Sequence, residues 1–196
     1  MEDRGYYALA LDGARRRVDS LGSSAGHLLW SGIVPEERAR AVAGRLMGEE
    51  LFSGWGVRTM AEGEGGYDPD SYHNGSVWPH DNALIACGLR RYGFRQEANR
   101  VAVALFDAAV HFDYRLPEVF AGYSRSEVDE PVELPRSCSP QAWAAGTVVL
   151  LVRAMLGVEP DPETQRLLLD PALMGHASRL RLEGVPAFGE RRVIDA

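Results

Sequence analysis

The order of apolar and amphipathic helical segments constrains the fold of this chain more than any other sequence feature. Residues from about Pro79 to Tyr92 have a helical pattern with no charged residue between Ala83 and Leu89. Residues from about Pro140 to Leu156 contain the longest apolar run of the chain. Helices of this kind are usually buried on all sides. Between them, residues 96–112 combine a polar stripe with an apolar one, which predicts a helix with one face in water.

Two shorter helices are predicted before these. One covers about Ala25 to Ile33, where Ser23 and Ser24 are suitable N-cap residues. The other runs from Pro35 to Met47 and places four apolar side chains on one face, namely Ala39, Val42, Ala43 and Leu46. The five helices therefore alternate between buried and half-exposed, which predicts a double-layered helical toroid. An ordinary helical bundle produces the same order, and the helix pattern alone leaves that alternative open.

Both ends of the chain carry predicted strands. Residues 6–11 and 14–19 flank Asp12-Gly13, a dipeptide that favours a two-residue type I′ turn, so they predict a β-hairpin. After Gly157, prolines and short alternating stretches indicate loops and short strands. The expected fold is mainly α, with residues 1–157 as part of a helical toroid and residues 158–196 as a strand-containing tail.

Composition limits the possible classes of function. The net charge of −7 argues against nucleic acid or an anionic membrane as a partner. Cys87 and Cys138 lie in different segments and the first twenty residues lack the pattern of a secretory signal, so we expect a cytoplasmic protein. The five histidines and two cysteines lack the spacing of metal ligands. Phosphate-binding glycine loops and nucleophile elbows do not occur. We expect no metal and no cofactor.

Two long connections, residues 48–77 and 113–139, each run from a predicted outer helix into a predicted inner helix. In an alternating array of helices, such connections lie at the same end of the fold. Loops of this length in a compact domain are usually functional or disordered, and their many aromatic side chains argue against disorder. This arrangement favours the toroid over the bundle.

The first connection ends in a group of side chains typical of a sugar-binding site. Aromatic faces pack against the C–H patches of a sugar, while amide and carboxylate groups bind pairs of hydroxyls. The candidate residues are Tyr72, His73, Asn74, Trp78, His80 and Asp81. A purely structural interpretation is also open for Asp81, because an acidic residue favours the first turn of a helix whether or not a ligand exists.

Further candidates lie in the other loops and on the first helix. Glu118 is flanked by Pro117 and apolar residues, which can tune the basicity of its carboxylate, although a single loop glutamate is more often a solvated charge. The same end of the fold is predicted to carry Gln141 and Trp143, while earlier segments offer Trp55, Arg58 and His27, and a later one Arg125. Core packing is the alternative for Trp143 and His27, and ion pairing for Arg125.

Five segments of this chain, in the same order, resemble a known family. They are SSAGHLLWSGI, ELFSGWGVRT, YHNGSVWPHDNALIACGLRRYG, RLPEVFAGYSR and SPQAWAAGT. Together they are similar to the bacterial amylo-α-1,6-glucosidases, which are glycogen-debranching-like proteins, and more loosely to other six-hairpin glycosidases. The resemblance runs from about Gly5 to Gly157 and implies an (α/α)6 toroid.

The resemblance also implies a reaction, the inverting hydrolysis of α-glucosidic bonds in glycogen or oligosaccharides by two carboxylates roughly 6.5–9.5 Å apart. Glu118 matches the position of the catalytic base. The sugar subsite nearest the scissile bond would be lined by Tyr72, His73, Trp78, His80, Asp81 and Arg58.

The family's general acid lies upstream of the hairpin that opens this chain, and five predicted helices are fewer than the twelve of such a barrel. We therefore expect the C-terminal part of the enzyme, inactive alone and completed by a complementary N-terminal chain or by a homo-oligomer. A sugar-binding module without turnover and a helical interaction protein are the alternatives.

Overall fold

The computed structural model describes residues 1, 4–173 and 178–196. In this part of the chain the fold is mainly helical, with three small antiparallel hairpins. The elements are β1 (Ala10–Leu11), β2 (Arg17–Val18), α1 (Ser24–Ser31), α2 (Glu36–Leu46), α3 (Pro79–Arg91), α4 (Arg95–His111), α5 (Ala142–Leu156), β3 (Glu159–Asp161), β4 (Arg166–Leu168), β5 (Arg181–Ala187) and β6 (Glu190–Asp195). No helix among the described residues is long and apolar enough to cross a membrane.

Helix α3 lies at the centre of the fold. It packs against α1, α4 and α5, and α2 packs against α1. Pro79 occupies the first turn of α3, where its missing N–H costs nothing. Two glycines allow the close contact with α1, since a Cβ at Gly26 would meet Ile85 and a Cβ at Gly88 would meet the Trp30 backbone.

The apolar face predicted for α2 is confirmed, because its four apolar residues are all buried (Ala39, Val42, Ala43 and Leu46). Helix α1 begins at Ser24, one residue earlier than predicted. The predicted capping role of Ser23 is wrong, since its side chain makes no capping hydrogen bond.

Helix α5 contradicts the expectation that it is buried on all sides. Its inward face, which includes Ala144, Thr147 and Leu151, is buried. On the other face Val149 is 72% exposed and Trp143 is 63% exposed. The apolar composition of α5 therefore exceeds what α3 and α4 cover.

The N-terminal hairpin forms, but its predicted two-residue turn is wrong. Leu11 pairs with Arg17, so residues 12–16 form the connection. The Asp12 carboxylate accepts hydrogen bonds from the backbone N–H groups of Ala14 and Arg16, and Arg15 has a positive φ of 60°. These side-chain bonds stabilise a longer loop in place of the type I′ turn. The C-terminal tail contains two hairpins, β3–β4 and β5–β6.

Candidate functional site

The two long connections meet at the N-terminal end of α3, as the sequence predicts. Single β-bridges join Arg58 to Val77, Val77 to Phe120, and Phe120 to Glu133. The first connection runs directly into α3 and the second into α5. The side chains around Trp78 are therefore brought next to those around residue 118.

Five aromatic side chains form a continuous chain of ring contacts at this end. The Trp78 ring lies edge-on to Tyr72 at 4.8 Å and parallel to His73 at 5.7 Å, measured between ring centroids. His80 lies 5.6 Å from Trp78 and 4.5 Å from Trp143, edge-on to both. The Trp78 indole N–H donates to the Tyr72 carbonyl at 3.0 Å, which fixes the ring. Because Trp143 remains largely exposed, one indole is available to a ligand.

The Glu118 carboxylate lies against this cluster and accepts several hydrogen bonds. Its Oε2 accepts the Cys138 backbone N–H at 3.2 Å and its Oε1 accepts the Gln141 amide at 3.4 Å. The Tyr72 hydroxyl is a third donor. Burial alone would raise the pKa of Glu118, but the hydrogen bonds from Cys138, Tyr72 and Gln141 outweigh it and hold the pKa below its ordinary value. Near neutral pH the carboxylate is ionised.

A second carboxylate joins α1 to α3 at the same end. His27 Nε2 donates to Asp81 Oδ1 at 2.5 Å. This hydrogen bond raises the pKa of His27, and it outweighs the opposing effect of burial. The neighbouring His80 behaves in the opposite way, because burial lowers its pKa.

Three of the predicted sugar-binding residues lie outside this cluster. Arg58 is fully buried, and its guanidinium donates to the backbone carbonyls of Gly122 at 2.5 Å and Glu49 at 2.9 Å. It joins the two long connections and is not accessible to a sugar in this structure. This placement disagrees with the role that the resemblance implies for Arg58.

Trp55 and Arg125 form a separate group near α4. The Trp55 side chain is 1% exposed, lies edge-on to His111 at 5.5 Å and is covered by the Arg125 guanidinium at 4.2 Å from the ring centroid. Arg125 also forms an ion pair with Asp107 at 2.7 Å. Because protein groups cover the Trp55 ring, this structure argues against the predicted role of Trp55 in binding sugar.

Asn74 follows the clustered His73 in the first connection, and its carbonyl accepts the Asp68 N–H at 2.9 Å. Cys138 is not among the predicted residues, although its backbone exchanges two hydrogen bonds with Glu118. Backbone donors carry no signal in the residue type, which explains the omission. Among the described residues, no group of three or more His, Cys, Asp or Glu side chains can hold a metal ion.

The sequence matches a known family of protein domains. Residues 4–123 match the mannosylglycerate hydrolase MGH1-like glycoside hydrolase domain. No curated protein matches the sequence significantly. The match is thus to a glycoside hydrolase family, but it does not support the specific resemblance to amylo-α-1,6-glucosidases.

Three solved structures share the fold. An uncharacterized conserved protein from Thermus thermophilus is 20% identical, with a TM-score of 0.62 over 78% of this chain and 36% of that protein. The GH63 mannosylglycerate hydrolase from the same organism, in complex with glucose, is 19% identical, with a TM-score of 0.63 over 78% of this chain and 34% of its own. Neutral trehalase Nth1 from Saccharomyces cerevisiae is 16% identical, with a TM-score of 0.59 over 79% and 27%. The chain therefore spans about a third of the length of these proteins.

Proposed function

Because the chain belongs to the family of mannosylglycerate hydrolase MGH1-like glycoside hydrolase domains, we propose that it supplies the base and part of the sugar-binding wall of an inverting glycoside hydrolase. The family match and the shared folds agree with a six-hairpin glycosidase. The observation that carries the proposal is the Glu118 carboxylate, held by three donors beside an aromatic cluster.

Glu118 is suited to the role of general base. A base must be ionised before the reaction, and the hydrogen bonds from Cys138, Tyr72 and Gln141 favour the ionised form. In the proposed step, Glu118 takes a proton from water, and the water oxygen forms a bond to the anomeric carbon. The bond to the leaving oxygen breaks on the opposite face, and a separate acid protonates that oxygen.

The aromatic cluster supplies the wall of the proposed subsite. The exposed Trp143 indole offers a flat apolar face, while His80 and Gln141 offer polar groups beside it. Two structural neighbours are a mannosylglycerate hydrolase and a trehalase, and their names favour a small hexoside over glycogen as substrate. We propose that the bond cleaved is α-glucosidic.

The general acid is proposed to come from additional polypeptide. This chain spans about a third of its structural neighbours, and α5 presents an apolar flank that includes Val148 and Val149. An exposed apolar surface of this kind usually marks an interface. A complementary N-terminal chain that packs on α5 would cover the flank and bring the acid opposite Glu118. A second copy of this chain is the alternative.

A substrate whose leaving group needs no acid tests the base directly. Hydrolysis of α-D-glucosyl fluoride releases fluoride without a proton from a general acid, so the chain alone is expected to release it slowly. The product of an inverting reaction is β-glucose, which proton NMR distinguishes from the α anomer. Glu118→Gln is expected to lower the rate at least about 100-fold, the usual contribution of a general base.

Glu130→Gln is the matched control, because Glu130 lies on the same connection with a largely exposed side chain. Its rate is expected to equal that of the wild-type chain. Equal fluoride release by the Glu118→Gln and wild-type chains, or release of α-glucose, contradicts the proposal.

A second candidate is a sugar-binding module without turnover. The exposed Trp143 ring against His80 favours it, because this platform requires no acid. Calorimetry with glucose would then show binding that Trp143→Ala removes, together with no fluoride release.

A further inference from the structure

The N-terminal ends of α1 and α3 are tied together by a polar contact, the hydrogen bond of 2.5 Å between His27 and Asp81. Asp81 is only 8% exposed. Its second oxygen, Oδ2, is buried and has no hydrogen-bond partner within the described residues. The sequence leaves open whether Asp81 is structural or binds sugar directly. Its burial and its contact with His27 indicate a third role, in which Asp81 acts on His27 and does not touch the sugar.

A buried carboxylate with one unpaired oxygen is costly unless a cation compensates its charge. His27 is the group placed to do so, since its Nε2 is bonded to Asp81 while its ring remains partly exposed. The hydrogen bond that His27 donates to Asp81 favours the imidazolium form and raises the pKa of His27. The pair therefore favours a positive charge on His27, whose ring is partly exposed to solvent.

His80 precedes Asp81 in the first turn of α3 and has the opposite preference. Its ring is packed edge-on against Trp78 and Trp143. Burial lowers its pKa, and the nearby His27 charge acts in the same direction. Asp81 and Glu118 act in the other direction but do not reverse the effect. The surroundings of the two histidines thus shift their pKa values in opposite directions.

We propose that Asp81 is a positioning residue that acts through His27, so that the site presents a fixed imidazolium at His27 and a neutral imidazole at His80. The proposal rests on the proposed function, in which this cluster binds a sugar. Every sugar hydroxyl is both a donor and an acceptor. A protonated His27 has Nδ1–H left to donate, while a neutral His80 keeps one ring nitrogen that accepts.

Charged and titratable groups approach His27 and His80 from three parts of the chain. Helix α3 contributes Asp81, and the second connection contributes Glu118, which acts on His80. The N-terminal segment contributes Tyr6, whose hydroxyl donates to the Gly22 carbonyl at 2.7 Å. Burial and the Asp81 charge raise the pKa of Tyr6, so it stays neutral and supplies no competing charge.

Titration of the histidine side chains by NMR tests the proposal in the whole chain without any reaction. The chain has five histidines, and single substitutions assign their imidazole signals. In the wild-type chain the pKa of His27 is expected above the ordinary value near 6.5 and that of His80 below it. Asp81→Asn is expected to lower the pKa of His27 by about one unit or more. His27→Gln is expected to raise the pKa of His80.

His111→Gln is the matched control, because His111 lies on α4 beside Trp55 and outside the cluster. It is expected to leave the titrations of His27 and His80 unchanged. The proposal is overturned if wild-type His27 titrates at the ordinary value, or if Asp81→Asn leaves its titration in place.

If circular dichroism shows that Asp81→Asn does not fold, the wild-type titration and the His27→Gln variant still test the pair. The result is also separate from the proposed function. Absence of fluoride release with a shifted His27 titration would remove the hydrolase proposal and leave the pair, whereas an unshifted His27 with Glu118-dependent hydrolysis would do the reverse.

Discussion

Helices α3 and α5 have the same sequence character and different surroundings. Neither has a charged residue in its apolar middle, residues 83–89 in α3 and 142–152 in α5. Neighbouring helices bury α3 on nearly every side, and Ile85, Ala86 and Leu89 are inaccessible. Helix α5 buries one face and leaves Val149 exposed. An apolar pattern thus identifies a surface that requires a partner, but not whether the described residues provide that partner.

Removal of a large side chain gives the largest expected difference between the two helices. Leu89→Ala leaves a cavity in the packed face of α3, and we expect it to lower the free energy of unfolding by about 2–5 kcal/mol. Val149→Ala removes exposed carbon atoms and is expected to change it by less than about 0.5 kcal/mol. Urea unfolding followed by circular dichroism measures both changes.

Leu151→Ala is the control for this comparison, because Leu151 lies on the buried face of α5. We expect it to cost as much as Leu89→Ala. If Val149→Ala costs as much as Leu151→Ala, the exposed flank of α5 is already covered in solution, and the difference between the helices disappears.

A glycine in each helix gives the next comparison. A Cβ at Gly88 in α3 would lie 2.6 Å from the Trp30 backbone nitrogen, whereas a Cβ at Gly146 in α5 meets nothing within 4 Å. Gly88→Ala is therefore expected to destabilise the chain by about 1–3 kcal/mol through overpacking. Gly146→Ala is expected to stabilise it by about 0.5–1 kcal/mol, because alanine favours a helix interior. Thermal unfolding with opposite shifts in midpoint supports the comparison, and equal shifts contradict it.

A charge on the bare flank of α5 tests whether that flank associates. Val149→Asp is expected to leave the unfolding free energy of the single chain within about 0.5 kcal/mol, since the side chain is exposed. Any self-association through the flank is expected to weaken about tenfold, which corresponds to about 1.4 kcal/mol. Sedimentation velocity at several concentrations measures it. Unchanged association would place the contact elsewhere on the chain.

Features fixed by nearby residues are predictable from the sequence. The buried face of α2 follows from spacing, and the start of α3 follows from Pro79. The meeting of the two long connections follows from the alternation of helices, and it brings Tyr72 and Gln141 to Glu118. In each case residues within one or two turns, or the order of elements, determine the outcome.

Features fixed by distant partners are not predictable in this way. The resemblance assigns Arg58 to the sugar site, but the Gly122 carbonyl, far along the chain, accepts a hydrogen bond from its guanidinium. Trp55 is likewise covered by His111 and Arg125. Residue type does not distinguish a side chain that faces a ligand from one that supports the loop behind it.

The first turns of α3 and α5 give the smallest expected effect, a difference in pH dependence. The pKa of His27 is raised in the folded chain, so its pair with Asp81 contributes full stability below the ordinary value near 6.5 and loses it as pH rises through the folded pKa. The difference in stability between the wild-type chain and His27→Gln should therefore shrink between about pH 6 and 8.5. The start of α5 is held by Gln141, whose side chain accepts the Trp143 N–H at 2.8 Å and does not titrate. Gln141→Ala should cost about 0.5–1.5 kcal/mol at every pH in that range, because its partner Glu118 stays ionised. Urea unfolding across the range measures both effects. A pH-independent effect of His27→Gln would mean that the ion pair between His27 and Asp81 does not stabilise the start of α3.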